Sequence, residues 1–263
     1  VPNPTNCPVC GSKYIKQFGV GTQRVESEIK KLFPRARVLR MDLDTTSKKN
    51  SHELILSKFR AEEADILIGT QMIAKGLDFP NVTLVGIIAA DVSLNLGDYR
   101  SGEITYQLLT QVSGRAGRAD KEGVVFIQTY NPNHYSIECV KDNNYDKFYN
   151  YEIALRRQMF YPPFSNMFLI LFTSENEENT EEAIFKLEEI MNFYNKKNYF
   201  EFLGPSPAII SKIQNKYRWK IIVKGQDEEL LKKFVLHCIF KFKKLKIANN
   251  ININISLNPS NNI

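Results

Sequence analysis

From residue 13 to residue 132, short apolar runs alternate with amphipathic stretches, and this alternation constrains the fold more than any single residue does. Strands are expected at 14–18, 37–41, 65–69, 82–89 and 124–129, with helices at 23–32, 52–61 and 103–112 between them. In the first helix Val25, Ile29 and Leu32 recur at three-to-four spacing, which lays one face on a sheet. Strands joined by crossover helices form a largely parallel sheet, because parallel neighbours cannot be joined by a tight turn. The expected class is therefore α/β, with functional loops at the carboxyl ends of the strands.

After residue 131 the texture changes to a Tyr- and charge-rich helical stretch that runs to 157 and ends in FYPPF (160–164). A double proline cannot continue a helix, so a boundary is expected there. Beyond it the pattern predicts a strand at 167–173, a helix at 177–194, strands near 208–213 and 218–224, a helix at 227–246 and a strand at 251–257. The order βαββαβ is that of a ferredoxin-like α+β domain. Its Asn-rich tail, NNININISLNPSNNI, still alternates Ile with Asn and reads as an edge strand. A length of 263 residues suits two such domains.

Charge adds little by itself. The chain has 35 Lys and Arg against 29 Asp and Glu, a formal net charge of +6, which is compatible with a polyanionic partner without establishing one. VTLVGIIAA (82–90) is the longest apolar run and falls far short of the roughly 18 residues of a spanning helix, so a soluble, cytoplasmic protein without a membrane partner is expected. Because the chain opens on Val1, with two prolines and two asparagines in its first six residues, it is expected to begin partway into a longer protein. Cys7 and Cys10 in CPVCG have the knuckle spacing that brings two thiolates to one zinc ion, but a structural site needs about four ligands. A reduced pair without metal, or a redox pair, is the alternative. Cys139 and Cys238 read as core thiols.

Gly-Thr-Gln occurs twice, at 21–23 and 69–71, each time beyond a strand and near a helix start. Free N–H groups at a helix start attract phosphate and a threonine hydroxyl adds a donor, although an ordinary turn with Thr as cap has the same sequence. DILIGTQMIAKGLDFPNV (65–82) extends the second triplet through Lys75 and Gly76 to Asp78, a carboxylate suited to a sugar hydroxyl, to a neighbouring arginine, or to capping the turn before Pro80. In QVSGRAGRA (111–119), Arg115 and Arg118 lie three positions apart, so on a helix they would face one way and fork onto a single triphosphate, with Gly114 and Gly117 leaving room for it. No G-x-x-x-x-G-K-[ST] loop accompanies them, so the nucleotide they would reach is not held by this chain alone. MDLDTT (41–46) also fits the D-x-D-x-T pattern of haloacid-dehalogenase-type phosphatases, with Asp42 as nucleophile and Asp44 as acid/base, or else is a polar strand end. A plain nucleic-acid-binding module without catalysis is a further reading.

QVSGRAGR resembles motif VI and DILIGTQMIAKGLDF resembles motif V of superfamily 2 helicases. CPVCGS, GVGTQRVESEI, FPRARVLRMDLDTT, DYRSGEITYQLL, FIQTYNPNH, YPPFSN and GPSPAIISKI, in that order, narrow the resemblance to the bacterial replication-restart DNA helicases and extend it from Cys7 to about Leu257. The resemblance implies a RecA-like second motor lobe at 13–132, after the end of a zinc-binding insertion at 1–12. A helical linker at 133–164 and a carboxyl-terminal α+β domain at 165–263 would follow. It further implies that Thr22, Thr70 and Gln71 contact the DNA backbone, that Asp78 and Gly76 face the nucleotide, and that Gln111, Arg115 and Arg118 meet the γ-phosphate. Cys7 and Cys10 would be the last pair of a two-zinc insertion. ATP and Mg²⁺ would be held mainly by a first lobe not present here. Expected partners are forked or single-stranded DNA, primosome and replicative-helicase-loading proteins and single-stranded DNA-binding protein; the implied activity is ATP-dependent 3′-to-5′ unwinding in replication restart at stalled forks. Asn258 stands where the family has Asp.

Overall fold

The computed structural model describes residues 21–42, 44–46, 51–74, 79–95, 97–116 and 122–259. Two compact units divide it: Val1–Leu94 with Glu103–Asn143, and Asn95–Gly102 with Asn144–Ile263. The stretch between the two predicted domains is thus divided, and a short segment from the middle of the first domain's sequence belongs with the second unit.

In the first unit α1 (Thr22–Leu32), β1 (Val38–Met41), α2 (Ser51–Arg60) and β2 (Ile66–Gly69) alternate as expected. They are followed by β3 (Leu84–Ile87), α3 (Asp91–Leu94), α4 (Ser101–Ser113), β4 (Val124–Ile127) and α5 (Tyr135–Lys141). β1 pairs with β2 and β3 with β4, both in parallel, as two two-stranded sheets. Met41 and Leu56 centre one core, with Ile55, Leu67 and Ile73 packed on it; Ala90, Leu109 and Ile137 centre another. The expected strand at 14–18 lies outside the described residues.

Gly69 is required by close approach. A Cβ there would lie 2.6 Å from the Met41 carbonyl oxygen of the paired strand and 2.7 Å from Ile73 Cγ2. Backbone cannot yield as a side-chain tip can, so Gly69→Ala is expected to destabilise this unit by about 1–2 kcal/mol, read as a lower urea midpoint. An unchanged midpoint would show that the pair opens without cost.

In the second unit α6 (Tyr145–Gln158) leads into β5 (Asn166–Ser174), α7 (Glu177–Tyr194), β6 (Glu201–Ile213), β7 (Lys216–Gly225), α8 (Glu228–Phe242) and β8 (Asn252–Leu257). The sheet order β6-β7-β5-β8, with each neighbouring pair antiparallel, is the ferredoxin-like arrangement that the βαββαβ order predicts. Side chains of Asn144, Asn176 and Asp227 accept from the third residue on and so cap α6, α7 and α8. On one sheet face Ile170, Phe172, Ile221 and Val223 pack against Ile184, Leu187, Val235 and Phe242, all fully buried. Cys238 belongs to that core, where burial pushes its thiol up to about 12, and Cys139 is fully buried as well. The opposite face carries Met167, Leu169 and Ile222, with Tyr99, Tyr161 and Leu203 packed against them.

The tail is an edge strand as expected, and Asn258 closes it. Its N–H donates to the Met167 carbonyl (2.7 Å), its Oδ1 accepts from the Met167 N–H (2.8 Å), and its Nδ2 donates to Asn166 Oδ1 (3.2 Å). An aspartate could not make the last of these bonds, and asparagine tolerates the positive φ of 41° found there. Among the described residues no helix is long and apolar enough to cross a membrane.

Candidate nucleic-acid and nucleotide loops

Register brings the two Gly-Thr-Gln triplets together. Met41 pairs with Gly69, so Asp42 and Thr70 are the next residues on adjacent parallel strands, at their carboxyl ends. Thr22, first residue of α1, donates its hydroxyl to Asp42 Oδ2 at 2.5 Å. The start of α1 and the turn after β2 therefore meet at one edge, where parallel α/β sheets place their functional loops.

The Thr22 hydroxyl was expected to serve as a phosphate donor, yet it donates its hydrogen bond to Asp42. What α1 offers outward is backbone: Gly21 supplies no side-chain cap, and the Arg24 and Val25 N–H groups turn back to the Gly21 carbonyl, leaving the Thr22 and Gln23 N–H groups ahead of the first helical bonds. A Cβ at Gly21 would meet nothing within 4 Å, so close approach is open there, whereas at Gly69 the glycine serves internal packing. Thr70 and Gln71 are exposed; the Thr70 carbonyl accepts from the Ile73 N–H and starts a 3-10 turn, Gln71–Ala74.

Asp42 is buried and organises this edge. Its Oδ1 accepts from the Thr45 N–H (2.9 Å), and its own N–H donates to Thr45 Oγ1 (2.8 Å). Arg40 Nε lies 3.1 Å from Oδ2, and the same guanidinium reaches Glu26 of α1 at 3.4 Å. The Thr22 hydroxyl, then the Thr45 amide, hold the carboxyl below its usual range against the opposing effect of burial. With Oδ1 engaged in a turn and Oδ2 by Thr22 and Arg40, Asp42 is a structural acceptor, which disfavours the phosphatase reading.

α4 ends at Ser113, with Gln111 exposed in its last turn and Arg115 half-buried two residues beyond. The Arg115 and Ala116 N–H groups bond three residues back, to Val112 and Ser113, so the last turn tightens and the α-helix stops before Arg115. The expectation that both arginines lie on one helical face therefore fails on the first of them, and Gly114 directly after Ser113 is the signal that announces it. Arg118, Gly76 and Asp78, like Cys7 and Cys10, lie outside the described residues. No group of three or more metal-ligating side chains occurs among the described residues.

Sequence reasoning missed Asp91, which follows the apolar run of β3. Its carboxylate accepts from Thr129 Oγ1 (2.7 Å) and from the N–H groups of Tyr130 (2.8 Å) and Asn131 (3.2 Å), clasping the exit of β4 to the start of α3. Burial pushes its pKa up, but these donors outweigh that and leave it below the usual carboxylate range. An acid at the end of the apolar run 82–90 was the available signal.

Comparison with known proteins fits this frame. Residues 14–120 match the helicase conserved C-terminal domain, and residues 157–260 match the primosomal protein N C-terminal domain. The first match defines the class: this is the RecA-like second lobe of a helicase, continued by a smaller α+β domain. Replication restart protein PriA of Bacillus subtilis is 48% identical over 98% of this chain, that of Synechocystis 45% over 84%, and that of Borreliella burgdorferi 40% over 97%. The chain belongs to the PriA replication restart family, and it spans 32%, 26% and 38% of the length of these three relatives.

Proposed function

We propose that the chain is the second motor lobe and carboxyl-terminal domain of an ATP-dependent DNA helicase that moves 3′ to 5′ and acts in replication restart at stalled forks. The observation that carries this is the convergence of the α1 start and the Thr70–Gln71 turn at the carboxyl edge of β1 and β2. There, backbone amides and the Thr70 hydroxyl form successive donors for the phosphates of one strand, a contact that positions DNA without reading its sequence. ATP would bind against a first lobe that supplies the phosphate loop and the Mg²⁺ site, with Gly76 and Asp78 toward the nucleotide and Gln111, Arg115 and Arg118 toward the γ-phosphate. Cys7 and Cys10 would complete a Zn²⁺ site with cysteines upstream, as the end of an insertion at 1–12. The division at 13–132, 133–164 and 165–263 belongs to the same reading. So do cytoplasmic location and partnership with forked DNA, primosome and helicase-loading proteins and single-stranded DNA-binding protein.

By itself this chain is expected to show no DNA-stimulated ATP hydrolysis, since its sequence holds no phosphate loop. The DNA contact is tested in the complete protein with the Thr70→Ala, Gln71→Ala double variant, measuring binding to single-stranded DNA across a salt series. Affinity is expected to drop about tenfold while basal ATP hydrolysis holds. Unchanged affinity, or an equal loss of hydrolysis in the absence of DNA, would remove the turn from the DNA path.

A further inference from the structure

Outside the core of the second unit, the end of α7 and the outer side of α8 gather aromatic rings and lysines. Phe193 and Tyr194 meet with centroids 5.1 Å apart, and Tyr194 meets His237 of α8 edge to face at 4.6 Å. Four rings carry an ammonium group each: Lys196 over Phe193 (5.0 Å), Lys241 over Tyr194 (6.0 Å), Lys244 over Phe240 (4.4 Å) and Lys197 over Tyr199 (5.9 Å). Leu236 and Phe240, four positions apart on α8, project beside the row formed by Lys233, His237 and Lys241. All of these side chains are exposed except Lys241, which is half-buried, and Phe193 and Phe240 are 61% and 58% exposed. Large apolar side chains grouped in this way on a surface mark a place of contact.

The charge of this face has one sign. No Asp or Glu occurs from Ile190 to Phe200 or from Leu230 to Ile263, the stretches that hold Lys196, Lys197, Lys233, Lys241, Lys243 and Lys244. Among the described residues the lysines of this unit that pair with carboxylates are Lys186, Lys224 and Lys232, and none of these six. The matching partner is a polyanion, and the rings decide which kind. Bases stack on open ring faces, but here an ammonium group already lies over each of four rings. Arginine, whose fork suits the phosphates of a strand, occurs in neither stretch, and Leu236 adds apolar bulk without a ring. Projecting aromatic and aliphatic groups, with lysine stems laid along them, fit the boundary of an anionic bilayer. There the apolar parts sink below the phosphates and the ammonium groups reach back to them. We propose that this face of the second unit docks on membranes that contain anionic phospholipid. The shortness of the apolar runs, from which no membrane partner was expected, bears on spanning the bilayer and not on resting against its surface.

The test mixes the complete protein with phosphatidylcholine vesicles, with and without phosphatidylglycerol, and reads the bound fraction by flotation. Affinity for single-stranded DNA, DNA-stimulated ATP hydrolysis and thermal unfolding are measured beside it. Binding is expected on the vesicles that contain phosphatidylglycerol, not on the neutral ones, and is expected to weaken as salt is added. The Phe193→Ala, Phe240→Ala double variant is expected to lower vesicle partition about tenfold, through lost apolar insertion. Lys196→Gln, Lys244→Gln is expected to lower it about tenfold as well, through lost charge, with DNA affinity and hydrolysis unchanged in both variants. Lys196 and Lys244 are exposed, so the idea stays testable should the alanine variant unfold. Equal binding to neutral vesicles, no binding to anionic ones, or wild-type partition in the folded lysine variant would overturn the proposal. A matching loss of DNA affinity in that variant would make the face a nucleic-acid contact and overturn it too.

Discussion

Replacing Arg118 with alanine in the complete protein is expected to lower DNA-dependent ATP turnover by about 10³-fold or more while leaving DNA affinity nearly intact. On the proposed reading the lost charge would act on the transferring phosphoryl group, so the deficit would belong to kcat and not to binding. Arg115→Ala is expected to follow in the same direction. Arg118→Lys should recover little, because lysine keeps the charge but not the planar fork that grips two phosphate oxygens at once. Steady-state hydrolysis at saturating DNA, beside anisotropy of labelled DNA, separates the two effects. If both alanine variants lost DNA affinity equally and kept their turnover per bound enzyme, the arginines would be ordinary contacts to nucleic acid.

Asp42→Ala is expected to cost about 2 kcal/mol of stability at neutral pH, since it leaves the part-buried donors of Thr22 and Thr45 and the Arg40 guanidinium without their common acceptor. The pH dependence has a definite sign. The folded carboxyl titrates below its usual value, mainly because of the Thr22 hydroxyl and then the Thr45 amide. Its stabilisation is therefore fully present above the unfolded pKa of about 3.9 and is lost as pH falls through the folded value. Urea titrations of wild type and variant should give a constant gap from neutral pH down to about 5, closing below about 4. A gap that persists undiminished in acid would mean that the carboxylate charge contributes nothing. The phosphatase reading predicts instead an Asp42-dependent release of phosphate from a monoester, which the structural role of this side chain gives no reason to expect.

The alternation of elements was legible because strand and helix periods differ along the chain, and the helix predicted at 177–194 has the same bounds as α7. β6 begins seven residues before its expected start at 208. Gly204, at φ 97°, a register shift across it between Leu203 and Ser206, and a second between Pro207 and Lys212 break the alternation that would have marked the strand. Four-residue α3 is too short to show a helical period. At the candidate site the triplets were legible as motifs, but their meeting depends on the pairing of Met41 with Gly69, which no local pattern encodes. Nor could sequence show that Asp42, twenty residues away, accepts a hydrogen bond from the Thr22 hydroxyl. Tyr99 was invisible for the same reason: its stacking partner lies across a unit boundary in sequence, and DYRSGEITYQLL gives no hint that its tyrosine packs on a sheet made much later.

That order of manufacture has a consequence. The second unit takes Asn95–Gly102 from within the sequence of the first, so Tyr99 leaves the ribosome before any of the four strands whose sheet it covers. At translation speeds of about 5–20 residues per second, β8 follows on the order of 10 s later. Throughout that interval Tyr99 has no sheet to rest on. Seating of the Asn95–Gly102 segment thus runs backwards along the chain, with residues made early received by strands made late.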